Sequence, residues 1–532
     1  MRVAIVGNGP VGQTTALLLA RWGVPVVLVD GRPERDPVGS KAICQQGDVL
    51  DVWETVGAGR RIADEGVTWT TARTFYRDQE LFAYTLGEAG RSAFPPFVNI
   101  SQARTEEILD ERIAAEPLVD VRWNHQVTGI TQDDGGVSLT FADGGTIRAD
   151  YAVACAGARG DEVRRMLGTG FDGYSFDDRF LICDIRAGLA GWAHERRFYF
   201  DPSWNPGRQV LIHPCPDSAF RIDWQVPGDF DLAAEEAGGA LDRRIRAIVG
   251  DAGYEIVWKS VYRFHSRVVD RMRAGRVLLA GDCAHLVSPF GARGLNSGVA
   301  DAENAAWKLA FVLHGWAGEE LLESYHDERH AAALENLDVT TATMNFLVPQ
   351  NEEQHRVRLS VLSSAATQEA VRARVDSGRL AEPFWYTASA LTTPDSTRPF
   401  AGRPPRGQVP PAGPGVLVPD VPLASGGRLR SLARDGLLLL AAPGADLAAA
   451  RAAVAATRAP VRVLEISTVD GNGDLTAALV ARPGELWVIR PDAHVAAVVT
   501  DRAGLTAALN RVLAVHDPTR KVTSHGVLPA GR

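Results

Sequence analysis

Cysteine is scarce in this chain: five residues in 532, at Cys44, Cys155, Cys183, Cys215 and Cys283, with no C-x-x-C pair. Scattered single cysteines suit reduced thiols and exclude a disulfide framework or a cysteine zinc site. None lies beyond Cys283, so the C-terminal part carries no thiol redox pair. Long apolar runs are missing too, since nothing approaches the roughly 20 residues that a bilayer-spanning helix requires. Positive charge is never gathered into a block and the net charge is −9, which removes nucleic acid from the expected partners. There is no G-x-S-x-G nucleophile elbow. The run His326-Asp327-Glu328-Arg329-His330 matches neither H-E-x-x-H nor H-x-x-E-H, so no metal site is expected. A strand that starts directly after Met1 leaves no room for a signal peptide. These absences predict a cytoplasmic protein without a membrane span.

What is present is ordinary in bulk, with 45% hydrophobic and 23% charged residues, and long enough for two or three domains. The informative part is local. Val3 to Val6 reads as a buried strand, Gly7-Asn8-Gly9-Pro10-Val11-Gly12 matches G-x-G-x-x-G, and a helix follows to about Trp22. A second strand, Val26 to Val29, ends in Asp30. In this setting Gly7 makes the tight turn, Gly9 admits a pyrophosphate, Gly12 lets helix and strand pack closely, and Asp30 takes ribose hydroxyls. A second strand–loop–helix unit comes far later: Val277 to Ala280, then Gly281-Asp282-Cys283-Ala284-His285, then Pro289-Phe290-Gly291-Ala292-Arg293-Gly294-Leu295-Asn296, and a helical run to Leu313. Gly291, Gly294 and Gly298 let a ligand press on bare backbone, the helix start offers free N–H groups to an anion, and Asp282 can accept hydrogen bonds from a ligand hydroxyl. Two such units so far apart fit FAD held at both ends better than NAD, which usually requires a second contiguous half.

The GNGPVG fingerprint, the GDCAH…PFGARGLNSGVADAENAAWKL run and Tyr325-His326-Asp327-Glu328-Arg329 together resemble the class A flavoprotein monooxygenases of the para-hydroxybenzoate hydroxylase fold. More closely, the chain is similar to the phenol, hydroxyphenylpropionate and polyketide hydroxylases that carry a C-terminal thioredoxin-like domain. The resemblance implies an α/β protein: a Rossmann-type FAD-binding domain with an interleaved β-sheet substrate domain, and a thioredoxin-like domain at the end. The expected boundaries are 1–175 and 266–390 for the two parts of the FAD-binding domain, 176–265 for the substrate domain, 391–425 for a Pro- and Gly-rich linker, and 426–532 for the thioredoxin-like domain. Packing or homodimerisation is the role left to that last domain.

The same resemblance implies the chemistry. NAD(P)H reduces FAD, O₂ adds at flavin C4a to give the hydroperoxide, and one oxygen atom passes to a small phenolic or polyketide-type aromatic substrate. It places Lys41, Gln102, Arg159, Asp282, Gly291, Gly294, Leu295 and Asn296 against the cofactor beside Gly7, Gly9, Gly12 and Asp30. Pro289 and Phe290 line the face of the flavin where oxygen is transferred. The alternating strand Phe220 to Val226 belongs to a sheet over the substrate, with Tyr199, Trp204, His213 and Trp224 as pocket candidates. Some positions depart from the family pattern. Lys41 stands where Arg is usual, Gln46-Gly47-Asp48 replaces Pro-Arg-Thr, and Ala156 replaces the Asp of an Asp-Gly pair implicated in flavin and NAD(P)H binding. Ala156 motivates the alternative: a flavin-binding protein with weakened or lost NAD(P)H turnover that binds or shields a reactive intermediate.

Overall fold

The first sheet follows from its sequence. Val3–Val6, Val26–Val29 and Tyr151–Ala154 are buried along their whole length, as strands covered on both faces must be. In a computed structural model, which describes residues 2–36, 42–86, 92–405 and 408–515, they join a six-stranded sheet. Its order is Arg273–Ala274, Val277–Leu279, Tyr151–Ala154, Val3–Val6, Val26–Val29, Val119–Arg122. All neighbours are parallel except the outermost pair, Arg273–Ala274 with Val277–Leu279. The helices Pro10–Arg21 and Arg293–Leu313 pack together on this sheet. The C-terminal ends of four strands therefore bring Gly7, Asp30, Cys155 and Ala280 to one rim, the usual ligand edge of an open parallel sheet.

The second sheet has eight strands in the order His285–Leu286, Tyr254–Val269, Phe171–Ala187, Ala219–Val226, Gln209–Cys215, Glu195–Phe200, Thr71–Tyr76, Gln79–Thr85. It corrects the expected boundary at 175/176. Thr71–Tyr76 pairs parallel with Glu195–Phe200, so a hairpin from within residues 1–175 completes this eight-stranded sheet. Pattern alone cannot reveal such a pairing, because the two strands lie more than a hundred residues apart in sequence.

Both faces of this sheet are covered. One carries Phe180, Phe198, Phe200 and Leu211, packed with Phe264 and Phe290; this inner face looks toward the nucleotide-binding part. The outer face carries Leu181, Val210, Ile212, Phe220, Ile222, Trp224 and Val226 under the helix Ala240–Val249. The alternation read from Phe220 to Val226 is real, but Arg221 and Gln225 between them are buried as well.

After the helices Glu323–Leu347 and Glu352–Ala365, the chain runs without helix or strand from Ala373 to Arg428 among its described residues. The expected linker is not a free spacer: Ala412, Leu417, Val418, Val421 and Leu423 are buried in the core of the C-terminal unit. That unit has a four-stranded sheet ordered Val461–Glu465, Leu437–Ala441, Leu486–Ile489, Val495–Val499, the first pair parallel and the others antiparallel. Its apolar residues continue into Trp307, Phe311 and Leu321, so it is cemented to the long helix Arg293–Leu313 and the turn after it. No helix among the described residues is long and apolar enough to cross a membrane.

Candidate cofactor and substrate site

The glycines of the fingerprint divide by what surrounds them. Gly7 has φ +109°, and a Cβ there would stand 2.3 Å from the Cys155 carbonyl oxygen; on Gly12 it would stand 1.9 Å from the Gly7 carbonyl oxygen. Those two are required by the protein's own packing. Gly9 has ordinary extended backbone, φ −96°, and a Cβ there would meet no atom within 4 Å. Nothing within the chain requires glycine there, which leaves the bare approach to a ligand expected of this position. Gly9→Val should therefore leave the melting temperature unchanged and weaken FAD affinity at least about tenfold. Gly12→Val should fail to fold, since a buried clash cannot relax in a close-packed interior. Equal behaviour of the two variants in a thermal melt with and without added FAD would sink this division.

The early and late loops meet. Val11, inside the fingerprint, presses against both Gly281 and Gly298: Cβ atoms built on them would lie 3.0 Å and 2.6 Å from its Cγ2. The short turn Gly157–Arg159 lies against the turn Gly281–Cys283. The two segments, separated by nearly three hundred residues, form one groove. Asp30 stands at its entrance and accepts from the Asn8 N–H at 2.8 Å and from Arg32 at 2.9–3.0 Å. Burial alone would raise its carboxyl pKa, but these hydrogen bonds hold it below the ordinary value. Gln102 sits at the start of the helix Gln102–Ala114; its Oε1 accepts from Ala42 N–H at 3.1 Å and its Nε2 donates to Glu106 at 2.8 Å. Asp282 is half-buried within the turn Gly281–Cys283. Lys41 and the side chain of Arg159 lie outside the described residues.

At the far end, Gly291 has φ +104° and would place a Cβ 2.2 Å from the Arg379 carbonyl oxygen, while its own carbonyl accepts from Ala381 N–H at 2.7 Å. Ala292, left-handed at φ +57°, caps the helix Arg293–Leu313, a strained conformation for a residue with a Cβ. Asn296 compensates. Its Nδ2 donates to the Ala292 and Cys44 carbonyls at 2.6 Å and 3.0 Å, and its Oδ1 accepts from Gln46 N–H at 2.9 Å. The amide of Asn296 is thus spent on tying the helix start to the strand Cys44–Gln46, leaving backbone N–H groups near Gly294 and Leu295 to face the groove. Gly294 has almost no neighbour at its Cβ position. Phe290 is buried in the aromatic cluster and Pro289 is exposed.

Two further observations fit an elongated polar cofactor. Asn8 is fully buried, yet its Nδ2 donates to no protein group, and Gln45 has both amide atoms unpartnered. Buried polar atoms in native proteins find partners, and these lie at opposite ends of the groove, one in the fingerprint turn and one beside the start of the late helix. Neither residue was signalled by a motif.

The residue that shapes the late loop was also missed. Asp301, one helical turn past Ser297 and fully buried, accepts from Gly281 N–H at 2.9 Å and Arg329 at 2.7 Å, and bonds His285 Nε2 at 2.7 Å. Burial would raise its carboxyl pKa, but His285 and Arg329 hold it down at about 2. The five residues from Tyr325 also resolve into parts. Tyr325 donates to the Leu279 carbonyl, His326 accepts from Met272 N–H, Glu328 meets Lys308 and Arg490, and Arg329 meets Asp301. His330 Nε2 is spent on the Val269 carbonyl.

The substrate candidates need correction. Tyr199, Trp204 and Trp224 belong to the outer face: Tyr199 stacks on Phe75 at 4.5 Å and meets Trp204 edge-on, and Trp224 is fully buried beneath the helix Ala240–Val249. Aromatic character suggested a pocket, but strand parity decides the face. His213, on the same face as Leu211, is the one candidate turned inward.

A parallel sheet with a glycine-cradled rim, a second loop completing the same groove and an aromatic-lined sheet over its far end define a dinucleotide-dependent redox protein. The FAD binding domain family matches residues 1–340, and the chain belongs to that family. It is similar to a flavin-dependent monooxygenase of Mycobacteroides abscessus, 33% identical over 368 residues that cover 64% of this chain and 74% of the relative. It is also similar to a 3-(3-hydroxy-phenyl)propionate/3-hydroxycinnamic acid hydroxylase of Mycobacterium sp. (strain JLS), 28% identical over 407 residues, covering 75% and 69%. Among solved structures, the flavin-dependent monooxygenase PieE in complex with FAD and substrate superposes with a TM-score of 0.84 at 25% identity, over 97% of this chain and 99% of that one.

Proposed function

We infer that this chain is an FAD-dependent monooxygenase that uses NAD(P)H and O₂ to hydroxylate a small aromatic substrate of phenolic or polyketide type. The observation that carries this reading is the shared groove, in which Val11 of the fingerprint rests on Gly281 and Gly298 of the late loop. Membership of the family and likeness to aromatic hydroxylases support it. FAD would supply the redox chemistry, accepting electrons from NAD(P)H and delivering one oxygen atom of O₂.

The chain's own residues do the rest. Gly7, Gly9, Gly12, Asn8 and Asp30 hold the ADP end. Lys41, Gln102, Arg159, Asp282 and the backbone from Gly291 to Asn296 hold the remainder, and the start of the helix Arg293–Leu313 favours negative charge beside it. Pro289 and Phe290, with Phe180, Phe198 and Phe264 behind them, keep water from the reacting face.

In this reading residues 1–175 and 266–390, less the hairpin Thr71–Thr85, form the cofactor domain. Residues 176–265 with that hairpin form the substrate domain. The C-terminal unit is read as thioredoxin-like, supported by its strand order and by the parallel first pair; having no cysteine, it serves packing or dimerisation. The five unpaired thiols support a cytoplasmic location.

The purified protein should be yellow with about one FAD per chain, and a phenol panel should accelerate NAD(P)H oxidation and oxygen uptake together. Flavin that neither NADH nor NADPH reduces in a stopped-flow experiment would overturn turnover and favour a protein that only binds or shields its ligand, as Ala156 first suggested.

A further inference from the structure

The proposed chemistry favours an electron-rich ring, and a phenol becomes far richer on losing its proton. We propose that Asp223, beside His213 on the inner face of the substrate sheet, binds the substrate's phenolic hydroxyl and takes its proton. This rests on the aromatic-hydroxylase reading above and adds to it a base that no motif announced.

The geometry comes from strand register. Asp223 is opposite Leu211 on one side and Ile182 on the other, and Leu211 is in turn opposite Phe198. Asp223 is therefore two strands from Phe198, about 10 Å at ~4.8 Å per strand. The Phe198 ring lies 6.0 Å from that of Phe290. Phe198 and Leu211 thus connect the Phe290 cluster to Asp223 along one face.

His213 is opposite Arg221, one pair along the same face. Arg196 shares this face with Phe198 and reaches across to the Ser377 carbonyl at 3.0 Å. Ser377 adjoins Gly378, which touches Phe290. The face thus looks directly onto the loop that borders the cofactor groove.

Asp223 is also chemically out of place as a structural residue. Its Oδ1 is buried and accepts no hydrogen bond, and His213 Nδ1 is likewise without a partner. The obvious counter-charge is already committed, since Arg221 donates to both oxygens of Asp184 at 2.7 Å and 2.8 Å. A buried carboxylate oxygen without a hydrogen bond is costly and persists where function requires it. Both residues are half-buried, with these polar atoms turned to the inner face.

Burial raises the Asp223 carboxyl to about 7 against the pull of Arg221, which suits a group that accepts a proton near neutrality. Burial and the neighbouring Arg196 and Arg221 push His213 well below its ordinary value, so it stays neutral and can hydrogen-bond the same hydroxyl. In the step itself, the phenol O–H bond breaks, its proton moves to Asp223 Oδ1, and the electron pair stays on the phenolate oxygen and spreads to the ring carbons that receive oxygen.

The test uses full-length, FAD-loaded wild type, Asp223→Asn and Asp223→Glu with phenol, 3-hydroxyphenylpropionate and the more acidic 4-nitrophenol. For Asp223→Asn, product formation should fall at least ~100-fold with the two weakly acidic phenols and several-fold or less with 4-nitrophenol, assayed above its pKa so that it reaches the enzyme ionised. NAD(P)H consumption should continue, its electrons leaving as hydrogen peroxide. Asp223→Glu should recover part of the loss. Asp223→Asn should melt no lower than wild type, because it removes a buried charge whose Oδ1 accepts no hydrogen bond. An equal loss with all three phenols, no loss, or a lower melting temperature would each overturn the assignment. Failure of every phenol to stimulate the wild-type enzyme would instead remove the hydroxylase reading, and this proposal with it.

Discussion

Asp301→Ala should lose FAD and about 3–5 kcal/mol of stability, the usual cost of removing one partner from a buried ion pair. Three groups depend on that carboxylate: the Gly281 N–H, His285 and Arg329. Gly281 needs φ +59°, and its N–H is the link that fixes the turn Gly281–Cys283 against Val11. Without Asp301 the Arg329 guanidinium remains buried, with the Tyr386 hydroxyl at 2.9 Å as its nearest acceptor. Asp301→Asn separates the two effects. It retains an acceptor for Gly281, so FAD affinity should fall less than in the alanine variant while most of the charge-pair stability is lost.

The same carboxylate carries an acid signature. Its folded-state pKa is depressed to about 2, below the ~3.9 of an unfolded aspartate. Its contribution is therefore complete above about pH 4 and disappears as the pH falls toward 2. Denaturant titrations between pH 5 and pH 2.5 should show wild-type stability falling more steeply than that of Asp301→Asn. Parallel curves, or FAD retained at full affinity by Asp301→Ala, would remove Asp301 from this role.

The two candidate cofactor loops were legible because their requirements are local. A tight turn, a bare approach and a helix start each leave a residue type at a fixed spacing, and Gly7, Gly9, Gly12 and Asp30 carried that record. Asp301 and Arg329 were in plain view within quoted motifs, but their task is to bind each other across 28 residues and two helices. Nothing in a helical spacing distinguishes such an aspartate from a solvated one. The substrate face was misread for a related reason. Alternation in Phe220 to Val226 reveals two faces but not which one is covered by the helix Ala240–Val249 and which by the cofactor part. The apolar set went under the helix, while Arg221 and Asp223, between them in sequence, went to the inner face. The hairpin Thr71–Thr85 joined a sheet whose other strands begin at residue 171, a pairing visible only in three dimensions.

A second large effect is expected at the junction with the C-terminal unit. Glu328 lies buried between Lys308 at 2.7 Å and Arg490 at 2.5 Å and 2.8 Å, with Asn304 and Ser389 also donating to it. Arg490 in turn meets Asp492, which accepts from Trp307 on the long helix. Burial opposes ionisation of Glu328, yet Arg490 and Lys308 hold its carboxyl well below the carboxylate range, so it is anionic at neutral pH. Glu328→Leu should leave two buried cations facing each other without their shared anion, at a cost of about 3–5 kcal/mol. Because Arg490 follows the strand Leu486–Ile489 of the C-terminal unit and Lys308 lies on the helix Arg293–Leu313, that cost falls on their junction. Limited proteolysis should then cut within 391–425, a stretch whose burial depends on the docked unit. The quadruple variant Lys308→Met, Glu328→Leu, Arg490→Met, Asp492→Asn tests what the charges are for, with the asparagine keeping an acceptor for Trp307. Well-packed neutral groups often replace a buried ion network without loss, so the quadruple variant should resist protease better than Glu328→Leu alone. A single variant as stable and as protease-resistant as wild type would show that apolar contacts through Trp307, Phe311 and Leu437 hold the unit in place by themselves.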